Sequence, residues 1–283
     1  EQFFICVGTV VFVYYGVKLL IFSRMLFPKL CFPLPNAFMT SMGEWAVVTG
    51  SSEGIGRAYA FEVPKRGMNV VIMSRNKETL DQVAAEIINN VGILPNYIPS
   101  KFLDSKELDQ VSEDKVFPLN NVLLLYCQVP TCFSFQDVTR VINCNVRTVV
   151  KMCKMILPGM ENRGKGLILN VSSGIASIPF PMYTLYAASK VFVERFSQGL
   201  QAEYKDKGII IQVVAPFGVS TRMAAFQQTN MVTLSPEDFV QRSLLYLRAG
   251  DKTYGNVSHI IMGWVLQHIP LKLLYAEATQ RSL

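Results

Sequence analysis

The sequence predicts an α/β protein with a doubly wound parallel sheet behind an N-terminal transmembrane helix. Three observations predict it. A glycine-rich turn, Gly50-Ser51-Ser52-Glu53-Gly54-Ile55-Gly56, follows an apolar strand at Trp45–Thr49 and leads into a helix reaching about Arg66. A second apolar run, residues 167–171, ends on small residues with Ser173 just beyond it. Tyr186 and Lys190 then stand four apart, which puts them on one face of a helix. A chain of 283 residues holds one such domain with length to spare.

Residues 3–22 are almost wholly apolar, interrupted by Lys18 and small or weakly polar residues. About twenty such residues span a bilayer as a helix. The run is too long for a cleaved signal peptide, and no small-x-small site follows it. Lys18, Arg24 and Lys29 flank its end, so the positive-inside rule places the remainder of the chain on the cytosolic side. Residues 1–24 are therefore expected as an anchor in an endomembrane. Pro28, Pro33 and Pro35 predict a non-helical linker over 25–42. The catalytic domain is expected at 43–258 and an apolar C-terminal segment at 259–283. Because the chain opens on Glu1, its true start is expected upstream.

Hydrophobic residues make up 50% of the chain and the net charge is only +6. No Lys/Arg block is interleaved with aromatics, which argues against nucleic-acid binding. Six cysteines lack metal-ligand spacing and disulfide-scaffold density, so reduced thiols are expected. His259 and His268 read as packing or surface residues, and no metal site is expected.

The glycines have a physical use. Gly50 permits a tight turn, Gly54 lets backbone N–H groups approach a pyrophosphate, and Gly56 lets the helix pack on the strand. The second strand, Asn69–Ser74, is followed by Arg75. A carboxylate there would hold the ribose hydroxyls of NAD, whereas Ser74 and a guanidinium suit the 2′-phosphate of NADP(H). A solvent-exposed arginine at a strand end is the bland alternative. Tyr186 beside Lys190 is a proton donor or acceptor, since a neighbouring positive charge lowers a phenol's titration from about 10 toward working pH. Ser173 would hold a substrate oxygen while Tyr186 moves the proton. Taken alone, a YxxxK pair is more often a surface pair; its place after the strand and the glycine turn makes it chemistry. Phe180, Pro181, Met182 and Tyr183 form an apolar loop, suited either to a flat apolar substrate or to packing the helix entry.

Together these residues resemble the short-chain dehydrogenase/reductase family. The stretches GEWAVVTGSSEGIG, NNVGILPN, GLILNVSSGIA and YAASK, with the N-terminal anchor, resemble its membrane-bound hydroxysteroid dehydrogenases. The resemblance covers most of 42–103 and of 134–275. It implies a Rossmann-type fold and NADPH-dependent reduction of a 17-ketosteroid, androstenedione, to its 17β-alcohol at the endoplasmic reticulum membrane. It implies Ser173, Tyr186 and Lys190 as catalytic residues, with Asn145 supporting a proton relay through a water. Cofactor contacts are implied for Gly50 to Gly56, Ser74, Arg75, Asn90, Tyr186, Lys190, Pro216, Val219 and Thr221. Substrate contacts are implied for Ser173, Phe180, Met182, Tyr183 and Tyr186. Long-chain 3-oxoacyl-CoA reductases share every catalytic motif and stand as the alternative. Homodimerisation is left open.

One departure from the family bears on all of this. Asn89-Asn90-Val91-Gly92 matches a motif that normally follows the fourth strand, yet here it follows the second crossover helix, expected at 77–88, with almost no gap. Strand three, its helix and most of strand four are expected to be missing, and 104–133 is unplaced. Residues 122–127 read as a buried strand or, preferentially, as unrelated sequence. The expectation is an incomplete sheet with little or no reductase activity, and an inactive membrane-bound homologue is a further alternative. Downstream, the sequence predicts helices at 135–160 and 191–204, the latter completing the helix of Tyr186. A strand is expected at 209–215, and a helix at 236–248 capped by Ser235. The apolar stretch 260–275 is expected to lie at a membrane surface or roof the substrate site.

Overall fold

The computed structural model describes residues 1–99, 121–125, 135–180 and 183–274. Helix α1 (Gln2–Leu26) is 25 residues long with no buried residue, and is long and apolar enough to cross a membrane. The proline-rich stretch that follows is partly helical, contrary to expectation. Pro28 starts α2 (Pro28–Cys31), where its missing N–H is no loss, and α3 (Phe38–Met42) buries Phe38 and Met39.

The domain then alternates: β1 (Trp45–Thr49), α4 (Gly54–Lys65), β2 (Asn69–Ser74), α5 (Lys77–Val91), β3 (Asn96–Pro99) and β4 (Asn121–Leu125). A long helical stretch follows as α6 (Phe135–Val141), a π-helical turn (Ile142–Arg147) and α7 (Thr148–Arg163). Next come β5 (Gly166–Val171), α8 (Thr184–Tyr204), β6 (Ile209–Val214), α9 (Pro236–Ser243), β7 (Lys252–Thr253), α10 (Val257–His268) and α11 (Leu271–Leu274). The seven described strands form one parallel sheet in the order β3-β2-β1-β4-β5-β6-β7.

The expected gap in the sheet is not there. Strand β4 lies between β1 and β5, with Ala46 opposite Val122 and Val122 opposite Leu167. β3 completes the far edge beside β2. The stretch read preferentially as unrelated sequence therefore supplies the central strand, and the premise for an inactive chain falls. The Asn89-Asn90-Val91-Gly92 run is also reassigned. The apolar period of α5 (Leu80, Val83, Ala84, Ile87) carries the helix through Val91, and Gly92 ends it in the left-handed conformation, φ 75°. Asn90 is exposed on that last turn. It sits where the chain is about to enter β3, at the opposite edge of the sheet from the glycine turn, so it is not a cofactor contact.

Alternation along the strands divides the core between two faces. Ala46, Val48, Val70 and Ile72 pack with α4, α5 and α9 residues on one side. Val47, Val71, Ile168 and Ile211 pack with Met152, Ile156 and Val193 on the other. Each such fully buried aliphatic contributes about 1.5–3 kcal/mol. Ser235 caps α9 by accepting from Asp238 N at 3.1 Å, as expected, but the helix yields to a 3₁₀ turn at Leu244. Among the described cysteines, Cys6, Cys31 and Cys153 are free, whereas Cys144 is disulfide-bonded rather than reduced.

Tyr246 donates its hydroxyl to Met25 O at 3.0 Å, and Phe22 lies 5.6 Å from the Trp264 ring. The base of α1 is thereby attached to α10, whose Ile261, Trp264 and Val265 remain over 40% exposed.

Candidate active site

In an open parallel sheet, chemistry collects where the strands end and the connections diverge, here between β1 and β4. Ser173 follows β5, the 216–221 segment follows β6, and the glycine turn follows β1, all at that edge.

The glycine turn is built for close approach. A Cβ on Gly56 would stand 2.2 Å from Gly50 O, so only glycine lets α4 pack onto the turn. Gly54 takes φ 58°, and a Cβ there would meet Thr221 Cγ2 at 3.0 Å. The turn after β1 and the segment after β6 thus approach each other closely. The first turn of α4 carries no acidic side chain and no side-chain cap, leaving its N–H groups for an anion. Buried Ser51 donates to Met73 O at 3.1 Å, and Ser74 donates to Ser52 Oγ at 2.8 Å, tying the end of β2 to the turn. Arg75 is exposed just beyond, with no carboxylate beside it in sequence. Half-buried Glu53 and exposed Arg222 pair at 2.9 Å, joining the turn to the stretch just past Thr221. Val219 and Thr221 are buried, and Pro216 O accepts from Gly174 N at 2.7 Å, pinning the end of β5 to the β6 segment. These features fit a dinucleotide with an extra phosphate.

Ser173, Tyr186 and Lys190 come together as expected. Ser173 neighbours the Tyr186 phenol and acts to lower its pKa. Tyr186 is 9% exposed and Lys190 1%. Lys190 Nζ donates to Val171 O at 3.1 Å and lies 5.5 Å from the centre of the Tyr186 ring. The electrostatics differ from the expectation. Burial pushes Tyr186 up to about 12, opposed by Ser173. Burial also pushes Lys190 down to about 7. Desolvation therefore dominates, and Tyr186 is held as a neutral phenol, the proton-donating form.

Asn145 is fully buried within the π-helical turn. Its Nδ2 donates to Ser189 Oγ at 2.9 Å, and Ser189 donates to Tyr186 O at 2.7 Å. Asn145 thus holds α8 at the residue before Lys190, while its Oδ1 has no partner among the described residues. Such π-turns recur at functional sites.

A cavity of about 480 Å³ lies between the turn after β5 (Ala176, Ser177, Phe180) and α8 (Thr184, Ala187, Val191), with no charged side chain in its wall among the described residues. It borders the α8 face next to Tyr186; the phenol itself is not in its lining. Tyr183, 42% exposed, packs edge-on to Phe180 at 5.9 Å. Met182 lies outside the described residues.

Sequence reasoning missed Phe217, whose ring occupies the space a side chain at Gly174 would need and stacks on Tyr254 at 5.5 Å. It also missed His259 as the clamp of this segment. Fully buried, His259 donates Nε2 to Val232 O at 2.8 Å and accepts from Phe217 N at 3.4 Å; burial lowers its pKa and keeps it neutral. Residue spacing gives no signal for either contact.

The short chain dehydrogenase family model matches residues 44–231. The chain is similar to the 17-beta-hydroxysteroid dehydrogenase type 3 of Danio rerio, 50% identical over 290 residues, covering 99% of this chain and 94% of that protein. It is also similar to the very-long-chain 3-oxoacyl-CoA reductase of Anas platyrhynchos, 41% identical over 240 residues, covering 81% and 77%. Among solved structures, a Sphingobium yanoikuyae short-chain dehydrogenase in complex with NADPH superposes with a TM-score of 0.69 at 24% identity, covering 74% of this chain and 86% of that one.

Proposed function

The chain belongs to the short-chain dehydrogenase family, and on that premise we propose that it is a membrane-anchored NADPH-dependent reductase of 17-ketosteroids. The observation that carries the reading is the buried Tyr186 phenol, with Ser173 and the buried Lys190 beside it, next to an apolar cavity. When bound, NADPH supplies a hydride to the carbonyl carbon. Ser173 holds the carbonyl oxygen, and Tyr186 gives its hydroxyl proton to that oxygen as the alcohol forms. Lys190, fixed to Val171 O, stands behind the phenol, and Asn145 holds the helix that carries both. The cavity wall suits a rigid apolar ring system. Similarity to 17-beta-hydroxysteroid dehydrogenase type 3 runs through the N-terminal helix, whereas the 3-oxoacyl-CoA reductase match covers 81% of the chain.

The α1 helix anchors the enzyme in the endoplasmic reticulum membrane, with Lys18, Arg24 and Lys29 keeping the catalytic domain on the cytosolic face. The exposed apolar face of α10, attached to the base of α1, rests at the same membrane surface. The test is NADPH oxidation by microsomes bearing the full chain, with androstenedione against a long-chain 3-oxoacyl-CoA. Preference for the steroid is expected. Preference for the thioester would transfer the chain to the other activity.

Arg75 sets the choice of cofactor. Charge-assisted hydrogen bonds are worth roughly 1.5–3 kcal/mol, about ten- to a hundredfold in affinity. Arg75→Asp is expected to weaken NADPH by that factor and to spare or improve NADH. Equal loss for both would place Arg75 outside 2′-phosphate recognition.

A further inference from the structure

Beside the reacting groups lies a charged pair that the reduction does not use. Glu194 on α8 and Lys252 on β7 meet at 2.8 Å, with side chains only 11% and 19% exposed. Removing two such charges from water is costly, and a buried pair repays little in stability. Its remaining hydrogen bonds lead to the active site. Lys252 Nζ also donates to Ser177 Oγ at 3.3 Å, and Ser177 is in the cavity wall. Ser177 in turn meets the Tyr254 hydroxyl at 3.0 Å, which accepts from Gln267 of α10 at 3.0 Å. On the other arm, Glu194 Oε1 accepts from Ser172 Oγ at 3.3 Å; that hydroxyl also reaches Lys190 O at 2.9 Å. One polar path therefore joins the cavity wall, the residue before Ser173, and the backbone of Lys190.

We propose that Lys252 is a positioning residue for substrate: through Ser177 it fixes the Gly174–Ser177 turn, the wall shared by the cavity and Ser173, against the helix that carries Tyr186. This rests on the carbonyl-reductase reading of the site. A purely structural pair would lower thermal stability and leave substrate affinity unmoved.

The test is a double-mutant cycle in microsomes on whichever carbonyl compound the wild-type chain reduces. Lys252→Met is expected to raise the KM for that compound about tenfold, with kcat reduced less and the KM for NADPH unchanged. Ser177→Ala is expected to raise the same KM, and the double variant to be no worse than Lys252→Met alone, since both remove one contact. Lys252→Arg should restore the wild-type value. Full additivity, or an unmoved KM in folded Lys252→Met, overturns the proposal. Where Lys252→Met fails to fold, Ser177→Ala decides: an unchanged KM overturns it. Absence of wild-type turnover with any carbonyl removes the underlying reading as well, whereas turnover with unmoved ratios removes only this inference.

Discussion

Tyr186→Phe lowers carbonyl reduction by about 10²–10⁴-fold, the usual worth of a general acid, while NADPH still binds. The substitution removes one oxygen from a side chain that is 9% exposed and keeps the ring against Lys190 Nζ. The fold should therefore survive, and the glycine turn is untouched. What goes is the phenol hydroxyl, a neutral proton donor next to Ser173. Microsomal rates, with cofactor affinity measured in parallel, check this. A Phe variant retaining more than a tenth of the rate would take Tyr186 out of the proton transfer.

Deleting residues 104–133 abolishes the folded enzyme. By comparison with the family the stretch reads as an insertion, and excising it would be the natural repair. In the structure it contains β4, which pairs with β1 from Trp45 to Val48 and with β5 from Leu167 to Asn170. Excision leaves two central strands facing one another without their partner. Each buried backbone group left unpaired costs about 1–3 kcal/mol, against a total stability of about 5–15 kcal/mol. A few such losses exceed the margin. Limited proteolysis and reductase activity of the deleted chain in microsomes provide the measurement, and wild-type activity would show that β4 is dispensable.

How much of this was legible beforehand depended on how local the signal was. The glycine turn, Ser173 at a strand end, and Tyr186 four residues before Lys190 are constraints of one turn, one strand end and one helix face. Neighbours in sequence enforce them, so their placement on turn, strand end and helix face was legible residue by residue. The same applies to the apolar length of α1 and to the Ser235 cap. The Asn89-Asn90-Val91-Gly92 run shows the limit of that logic. Its letters match a loop motif, but the apolar period of α5 runs through it and Gly92 closes the helix.

The remainder was decided in three dimensions. Five residues at β4, with an equivocal composition, become a central strand only because β1 and β5 present unpaired ladders on either side of them. Glu194 and Lys252 meet across 58 residues, a distance over which no sequence periodicity operates. The state of Tyr186 was likewise not a property of its nearest charge. Lys190 alone would draw the phenol's pKa down, but burial by α8, β5 and the turn beyond it pushes both groups toward their neutral forms. Desolvation sums over every surrounding atom, and only the tertiary structure assembles those atoms. The sequence by itself determined which side chains stand together at the strand ends; the packing around them decided how far each is held from its charged form.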